Sequence, residues 1–216
     1  LIAKKGDLGD YRRDYESKSI SKQDLDPDPV LQFGRWLQDA IDIGAIDATA
    51  MTLATATSDG IPSARVVLLK KFDNAGFCWF TDARSQKGRE LVTNDQAALL
   101  FYWRDMSRQV RVQGRVEQMA AEEAETYFNS RPDSSRLSAA ASHQSSPVDS
   151  RAVLESEVQR LNEMYPEGNV PRPESWIGYR LKPEYFEFWQ GLVNRLHDRL
   201  IYRPHQDGWS IERISP

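Results

Sequence analysis

Cysteine is all but missing from this sequence: among 216 residues there is one, Cys78. A single thiol excludes an intramolecular disulfide and a cysteine-based metal cluster, and between Phe77 and Trp79 it reads as a small buried hydrophobe. Histidine is nearly as scarce. His143, His197 and His205 stand in no metal-binding spacing, so no metal site is expected. No apolar run approaches the roughly 20 residues that a membrane span needs, and no charged-then-apolar leader opens the chain. The expectation is a soluble cytoplasmic protein without a membrane partner. Also missing are GxGxxG, parallel βαβ alternation, internal repeats and low-complexity segments, which removes the basis for a dinucleotide-binding reading.

Positive charge is in the minority, with a formal net charge of −4. That excludes the broad basic field that non-specific nucleic-acid binding requires. The cations that are present come in groups: Arg12-Arg13, Lys70-Lys71, Arg108 with Arg111, and Arg195 with Arg199. Local basic clusters on an acidic chain suit small anionic ligands, phosphate first, because Arg offers a planar fork and Lys a point charge. Length and a 40% hydrophobic content point to one substantial core. We expect a mobile N-terminal arm over residues 1–26 and a single domain over residues 27–216.

Within that domain, Asp28 as N-cap and Pro29 at the first helical position start a helix that ends near Gly44 and packs through Leu31, Trp36, Leu37, Ala40 and Ile41. Strands are predicted over Met51–Thr57, Pro62–Lys71, Phe77–Thr81, Gln96–Trp103 and Arg108–Met119, with turn signals between them. A short helix over Ser85–Asn94 presents Gln86 and Lys87 in its first turn, where free N–H groups favour an anion; a merely solvated lysine is the plain alternative. Gln109 lies on the polar side of its strand. Tyr127, Arg131 and Ser135 recur every four residues, but Pro132 interrupts the helix that would align them. Together a phenol, a guanidinium and a hydroxyl make a reasonable phosphate clamp. Small-residue and amphipathic helices follow over Ser138–Ser142 and Val148–Tyr165, then strands over Trp176–Leu181, Tyr185–Trp189, Arg195–Arg203 and Trp209–Ile214. About eight strands with interspersed helices favour a closed antiparallel barrel.

The densest polar chemistry lies in Glu187–Arg199. Taken as an extended strand, its second half puts Arg195, His197 and Arg199 on one face. An edge strand with Asp198 and Glu187 as salt-bridge partners is the ordinary explanation. Trp189 and the turn-forming Gly191 favour instead a pocket that stacks an aromatic ligand and holds its anionic substituents.

Three of these stretches, Arg65–Lys70, Tyr127–Pro132 and Trp189–Arg199, in that order and with Arg12-Arg13-Asp14-Tyr15 before them, resemble the pyridoxine (pyridoxamine) 5′-phosphate oxidase family over nearly the whole chain. The resemblance implies an FMN-binding split barrel, an antiparallel β-barrel with helices, forming a homodimer with FMN in clefts at the interface. It implies oxidation of pyridoxine 5′-phosphate and pyridoxamine 5′-phosphate by O2 to pyridoxal 5′-phosphate and hydrogen peroxide. Arg65, Val66, Val67, Leu68, Leu69 and Lys70 would line the FMN, with Phe80, Thr81, Gln86, Lys87, Gln109, Gln144, Ser145, Trp189 and Arg199 completing that site. Lys70, Tyr127, Arg131 and Ser135 would take the substrate's phosphate. Arg195 and His197 are the catalytic candidates, with Leu196 between them at the substrate, and Arg12, Arg13, Asp14 and Tyr15 would fold over as a lid.

The sequence departs from the family's pattern at Gln86, where relatives often carry Arg, at Phe80, where Tyr is also found, and at Leu192-Val193, which replaces a more polar pair. The competing readings are a split-barrel flavin reductase and a flavin or pyridoxal-phosphate carrier without turnover.

Overall fold

The computed structural model describes residue 15 and residues 17–216. They form two compact units, the smaller comprising the chain up to Ala48, Tyr102–Val110 and Phe186–Pro216, and the larger Thr49–Phe101 and Arg111–Tyr185.

In the larger unit the strands are β1 (Ala50–Ala56), β2 (Pro62–Leu68), β3 (Lys71–Asp73), β4 (Gly76–Asp82), β5 (Gln96–Trp103), β6 (Arg108–Gln118) and β7 (Trp176–Gln190), ordered β2-β1-β5-β6-β7-β4-β3. The last three in sequence have residues in both units. β1 pairs antiparallel with β2 from Ala50 opposite Leu68 to Ala56 opposite Pro62, and β4 with β7 from Phe77 opposite Leu181 to Asp82 opposite Trp176.

The two ends of this order, β2 and β3, are joined by Leu69 and Lys70 alone. Leu69 N–H donates to the Thr49 carbonyl on the β1 side, and Lys70 N–H to the Cys78 carbonyl on the β4 side, each at 2.9 Å. One bent strand therefore closes the sheet, as a barrel corner must. The single run expected over Pro62–Lys71 is split by that corner. Conversely, the two strands expected over Trp176–Leu181 and Tyr185–Trp189 are one, and β7 runs through Pro183. Gly114 of β6 makes this possible: a Cβ there would stand 1.9 Å from the Lys182 carbonyl oxygen. Cys78 is fully buried, as its apolar neighbours implied.

Four helices accompany these strands: α2 (Gln86–Thr93), α3 (Ala121–Asn129), α4 (Asp133–Ala141) and α5 (Arg151–Met164). Ser85 caps α2, its side chain accepting from Gly88 N–H. Pro132 ends the preceding helix and α4 starts immediately after it. Phe128, Leu137, Ala141, Leu161, Val170 and Trp176 form the core beneath these helices, with Phe80 and Tyr127 packed against it.

In the smaller unit, α1 (Pro29–Asp42) begins as the sequence indicates: Asp28 accepts from Val30 N–H at 2.8 Å, and Gly44 follows its end at φ +73°. Its buried face is Val30, Phe33, Trp36, Leu37 and Ala40. Leu31 and Ile41, expected in that face, are exposed. Leu31 projects roughly 160° from Phe33, and Ile41 sits at the stripe's margin in the last turn. The end of β7 pairs with β8 (Asp198–His205), which pairs with β9 (Gly208–Arg213). The strand predicted from Arg195 thus begins at Asp198. Asn194 and Arg195 have φ of 55° and 60° in a single tight turn, so the expected alternation of Arg195, His197 and Arg199 along one strand face is wrong.

Candidate active site

A cleft of about 650 Å³ opens in the larger unit, lined by Arg65, Val66, Val67, Leu68 and Lys70, by Phe80, Thr81, Asp82 and Lys87, and by Tyr127, Arg131, Ser134, Ser135, Ser138, Ala139, Ser142, Gln144 and Trp176. Its volume suits a cofactor-sized ligand. The barrel corner supplies the first group. Arg65 sits two residues along β2 from Ser63, whose partner across the ladder is Thr55. Its guanidinium donates to the Leu53 carbonyl at 3.2 Å, to Thr55 Oγ1 at 2.5 Å and to Ser63 Oγ at 2.5 Å, and lies 3.4 Å from the Glu90 carboxylate.

Lys87 enters from the first turn of α2. Its ammonium donates to Gln144 Oε1 at 2.6 Å and to Ser85 Oγ at 3.2 Å, and Thr81 Oγ1 donates to the same Gln144 oxygen at 2.7 Å. Burial, reinforced by the Arg65 charge, brings the Lys87 pKa down to about 8. A buried ammonium and a guanidinium beside a capped helix N-terminus make a donor set for a phosphate.

Arg131 is held by aromatic rings. Phe80 stacks on Tyr127 at 4.2 Å and on Trp176 at 5.2 Å, and the Arg131 guanidinium lies over the Trp176 ring at 5.0 Å. Arg131 Nη1 is buried with no hydrogen-bond partner among the described residues. Burial also lowers its pKa. An orphaned buried guanidinium N–H costs free energy unless an acceptor arrives, and Tyr127, Ser135 and Lys70 line the same space. Pro132 breaks the helix and yet the cleft gathers Tyr127 from α3, Arg131 from the break and Ser135 from α4.

Not every expected residue is here. Leu69 is buried at the corner. Gln86 donates from Nε2 to Glu90 Oε1 at 2.9 Å, and Ser145 lies in an exposed turn at φ 68° beside a second depression that it shares with Gln144. Glu90, Asp82, Trp176 and two serines of α4, Ser134 and Ser138, were missed. The small-residue stretch Ser138–Ser142 was the available signal, since only short side chains let a helix flank a polar cleft closely.

The smaller unit holds the remaining expected residues. Tyr15 meets Trp189 and His197 edge-on at 5.6 and 5.4 Å, and Trp189 lies 4.8 Å from His197. Leu192 N–H donates to His197 Nδ1 at 3.0 Å, which places the proton of a neutral ring on Nε2. Arg195 and Leu196 are exposed, and Gln109 is half-buried. Arg199 donates to Glu187 Oε1 at 2.6 Å and to the Ser215 carbonyl at 2.9 Å, while Asp198 pairs with Arg213. The ordinary salt-bridge explanation therefore holds for Arg199 and Asp198. Arg12, Arg13 and Asp14 lie outside the described residues.

Residues 37–165 match the family model described as pyridoxamine 5′-phosphate oxidase, and residues 176–216 match that of the pyridoxine 5′-phosphate oxidase C-terminal dimerisation region. The chain belongs to the pyridoxamine 5′-phosphate oxidase family, a family of oxidoreductases. It is 48% identical to the pyridoxine/pyridoxamine 5′-phosphate oxidase of Cyanothece sp., over 97% of this chain and 98% of that one. To the enzyme of that name from Burkholderia lata it is 50% identical, over 97% and 99%. Among solved structures it matches PhzG from Burkholderia lata, in complex with tetrahydrophenazine-1-carboxylic acid, with a TM-score of 0.87 and 31% identity over 93% of this chain and all of the other. A pyridoxamine 5′-phosphate oxidase-related, FMN-binding protein from Nostoc punctiforme matches in fold, with a TM-score of 0.68 at 16% identity. The family's split barrel is thus the fold of this chain, as its corner-closed antiparallel sheet indicates. Among the described residues no helix is long and apolar enough to cross a membrane.

Proposed function

We propose that this protein binds FMN and oxidises pyridoxine 5′-phosphate and pyridoxamine 5′-phosphate to pyridoxal 5′-phosphate, with O2 as the final acceptor and hydrogen peroxide as the second product; for the amine substrate, water supplies the aldehyde oxygen and ammonia leaves. One observation carries the reading. A single cleft is lined by both expected anion sets, Arg65 with Lys87 and Lys70 with Tyr127, Arg131 and Ser135, and Arg131 keeps a buried N–H for an acceptor.

FMN, when bound, supplies hydride acceptance from the substrate's C4′ and reoxidation by O2. Arg65 and Lys87 hold its phosphate, with Gln144, Ser145 and Thr81 beside them. Val66, Val67 and Leu68 form the apolar strand along it, and Gln109, Trp189 and Arg199 are the further cofactor residues of the proposal. Arg199 keeps positive charge available as negative charge develops. Lys70, Tyr127, Arg131 and Ser135 hold the substrate's phosphate, each charge-assisted bond contributing about 1.5–3 kcal/mol. Arg195 and His197 orient the pyridine ring for hydride loss, which requires reacting atoms roughly 3–3.5 Å apart. Tyr15, already against Trp189 and His197, is the inner end of a lid formed with Arg12, Arg13 and Asp14. The protein acts as a homodimer with the FMN clefts at its interface, a reading supported by the dimerisation-region match of residues 176–216.

The relative in complex with a tricyclic carboxylic acid raises the question of which anion the clamp takes. Four polar groups that include two cations exceed what one carboxylate uses, and favour a phosphate dianion. The test is anaerobic mixing of the FMN-loaded protein with pyridoxine 5′-phosphate. Bleaching of the flavin absorbance, followed by aldehyde and peroxide on admitting air, is expected. A flavin that stays oxidised with the vitamer, or that is reduced by a reduced phenazine carboxylic acid and not by the vitamer, would sink the proposal.

A further inference from the structure

A buried carboxylate is an odd neighbour for two cations that are to bind an anion. Glu90 is 6% exposed, one turn beyond Lys87 on α2, and its negative charge opposes any phosphate held by Arg65 and Lys87. Its hydrogen bonds show what it does instead. Thr55 Oγ1 donates to it, Ser63 Oγ donates at 2.7 Å, and Gln86 Nε2 at 2.9 Å. The same two hydroxyl oxygens accept from the Arg65 guanidinium. A hydroxyl has one proton and two lone pairs. Because Glu90 can only accept, it takes the proton of both hydroxyls and turns their lone pairs to Arg65.

We propose that Glu90 is a positioning residue for the cofactor's phosphate end. Through the cross-strand pair Thr55 and Ser63 it fixes the polarity of the hydroxyls that hold the Arg65 guanidinium in the cleft wall. Gln86 belongs to this arrangement as a cap on Glu90. Burial alone would raise the Glu90 pKa; the hydrogen bonds from Thr55, Ser63 and Gln86, helped by Arg65, bring it down to about 2. The carboxylate is therefore ionised and acceptor-only throughout the working pH range.

The inference rests on the FMN reading, and its test separates the two. Dissociation constants of FMN and of riboflavin, which lacks the phosphate, are measured by flavin fluorescence with the apoprotein and its Glu90→Gln variant. Gln has almost the same volume, but its amide must turn a donor toward a donor. We expect FMN to bind about tenfold more weakly and riboflavin to change less than about twofold. Glu90→Asp, still acceptor-only, should recover FMN affinity to within about threefold of the parent. A second readout is the alkaline loss of FMN affinity. Lys87 is faced by Arg65 from β2, Asp82 from the end of β4 and Glu90 from its own helix; removing the Glu90 charge moves that loss to lower pH. Unchanged or tighter FMN binding in Glu90→Gln, or equal weakening of both flavins, overturns the positioning role and leaves the FMN reading standing. A parent protein that binds no FMN overturns the reading and the inference with it. Should Glu90→Gln not fold, Ser63→Ala carries the test: about threefold weaker FMN with riboflavin unchanged supports the proposal, and equal loss overturns it.

Discussion

The cleft of the larger unit and the Trp189–Arg199 segment of the smaller one carry comparable chemistry, and they hold it by opposite means. In the cleft the charged groups come from separate places in the sequence and are fixed by partners from other elements: Arg65 by two strand hydroxyls and Glu90, Lys87 by Gln144 and Ser85, Arg131 by the Trp176 ring. In the segment the groups are neighbours in sequence, and the key guanidinium of Arg195 is exposed in a turn at φ 60°. A non-glycine residue in that region costs about 1 kcal/mol or more and persists where the surroundings enforce it. Under the proposed function this difference becomes a division of labour to be tested: binding energy from the cleft, an adjustable group for the chemical step from the segment.

The largest effect should follow from removing the orphaned guanidinium. If Arg131 holds the substrate's phosphate as proposed, Arg131→Ala deletes a charge-assisted contact together with the ring-stacked cation, a loss of about 2–3 kcal/mol. That is roughly 30–150-fold in kcat/KM for pyridoxine 5′-phosphate, expressed chiefly in KM. Unphosphorylated pyridoxine should be affected far less. Steady-state kinetics with both substrates checks this, and equal losses would break the assignment of Arg131 to phosphate. The contrasting variant is Arg195→Ala, expected to lower kcat by about tenfold or more while FMN affinity stays within about twofold. A pure KM effect there would erase the distinction between the two regions.

Of intermediate size is a pH effect confined to the cleft. The Lys87 pKa is about 8 in the folded protein, below its ordinary 10.5. The unfolded chain thus binds more protons between these values, and stability of the flavin-free protein rises as pH climbs from about 8 toward 10.5. FMN affinity runs the other way, because the ammonium is lost: from pH 7 to pH 9 it should fall by up to about tenfold. Flavin titrations across this range in the parent and in Lys87→Met test it, the variant being weak and flat. An unchanged slope in Lys87→Met would assign the titration elsewhere.

The contrast also explains what could be read from the chain in advance. The helix start at Asp28-Pro29, the stop at Pro132 and the antiparallel runs are local decisions, and the residues announce them. The corner at Leu69-Lys70 is not local. It exists because β2 must leave β1 and reach β4, and an apolar run bracketed by cations gives no sign of that. Glu90 was invisible for the same reason: its meaning depends on Thr55 and Ser63, brought opposite each other by the β1–β2 ladder. The Trp189–Arg199 segment was conspicuous because its residues are contiguous, and for that very reason its backbone was misjudged. Alternation suggested a strand, whereas Asn194 and Arg195 turn left-handed and put Arg195 out into solvent. The family resemblance supplied the roles, and the salt-bridge alternative, legible in the same residues, anticipated that Arg199 spends part of its guanidinium on Glu187.

The smallest predicted effect probes how Tyr15 is seated. Gly191 has no side chain, and a Cβ built there would stand 2.8 Å from the Tyr15 ring and 2.9 Å from Trp189. Both contacts are with ring atoms, so Gly191→Ala must displace a ring rather than the backbone. Trp189 is held in β7 opposite Arg199 of β8, and Tyr15 meets it through a ring edge, a contact worth about 0.5–1.5 kcal/mol. Tyr15 should therefore yield first. Release of the bound vitamer is expected to quicken about two- to threefold, with FMN affinity and kcat nearly unchanged, because a lid slows escape more than it shapes the reacting pair. Rapid dilution of the enzyme–product complex measures the off-rate, and tryptophan fluorescence reports the displaced ring. If Gly191→Ala and a chain lacking residues 1–16 show the same off-rate, Tyr15 is the part of the arm that matters; a normal off-rate in both would remove the lid altogether.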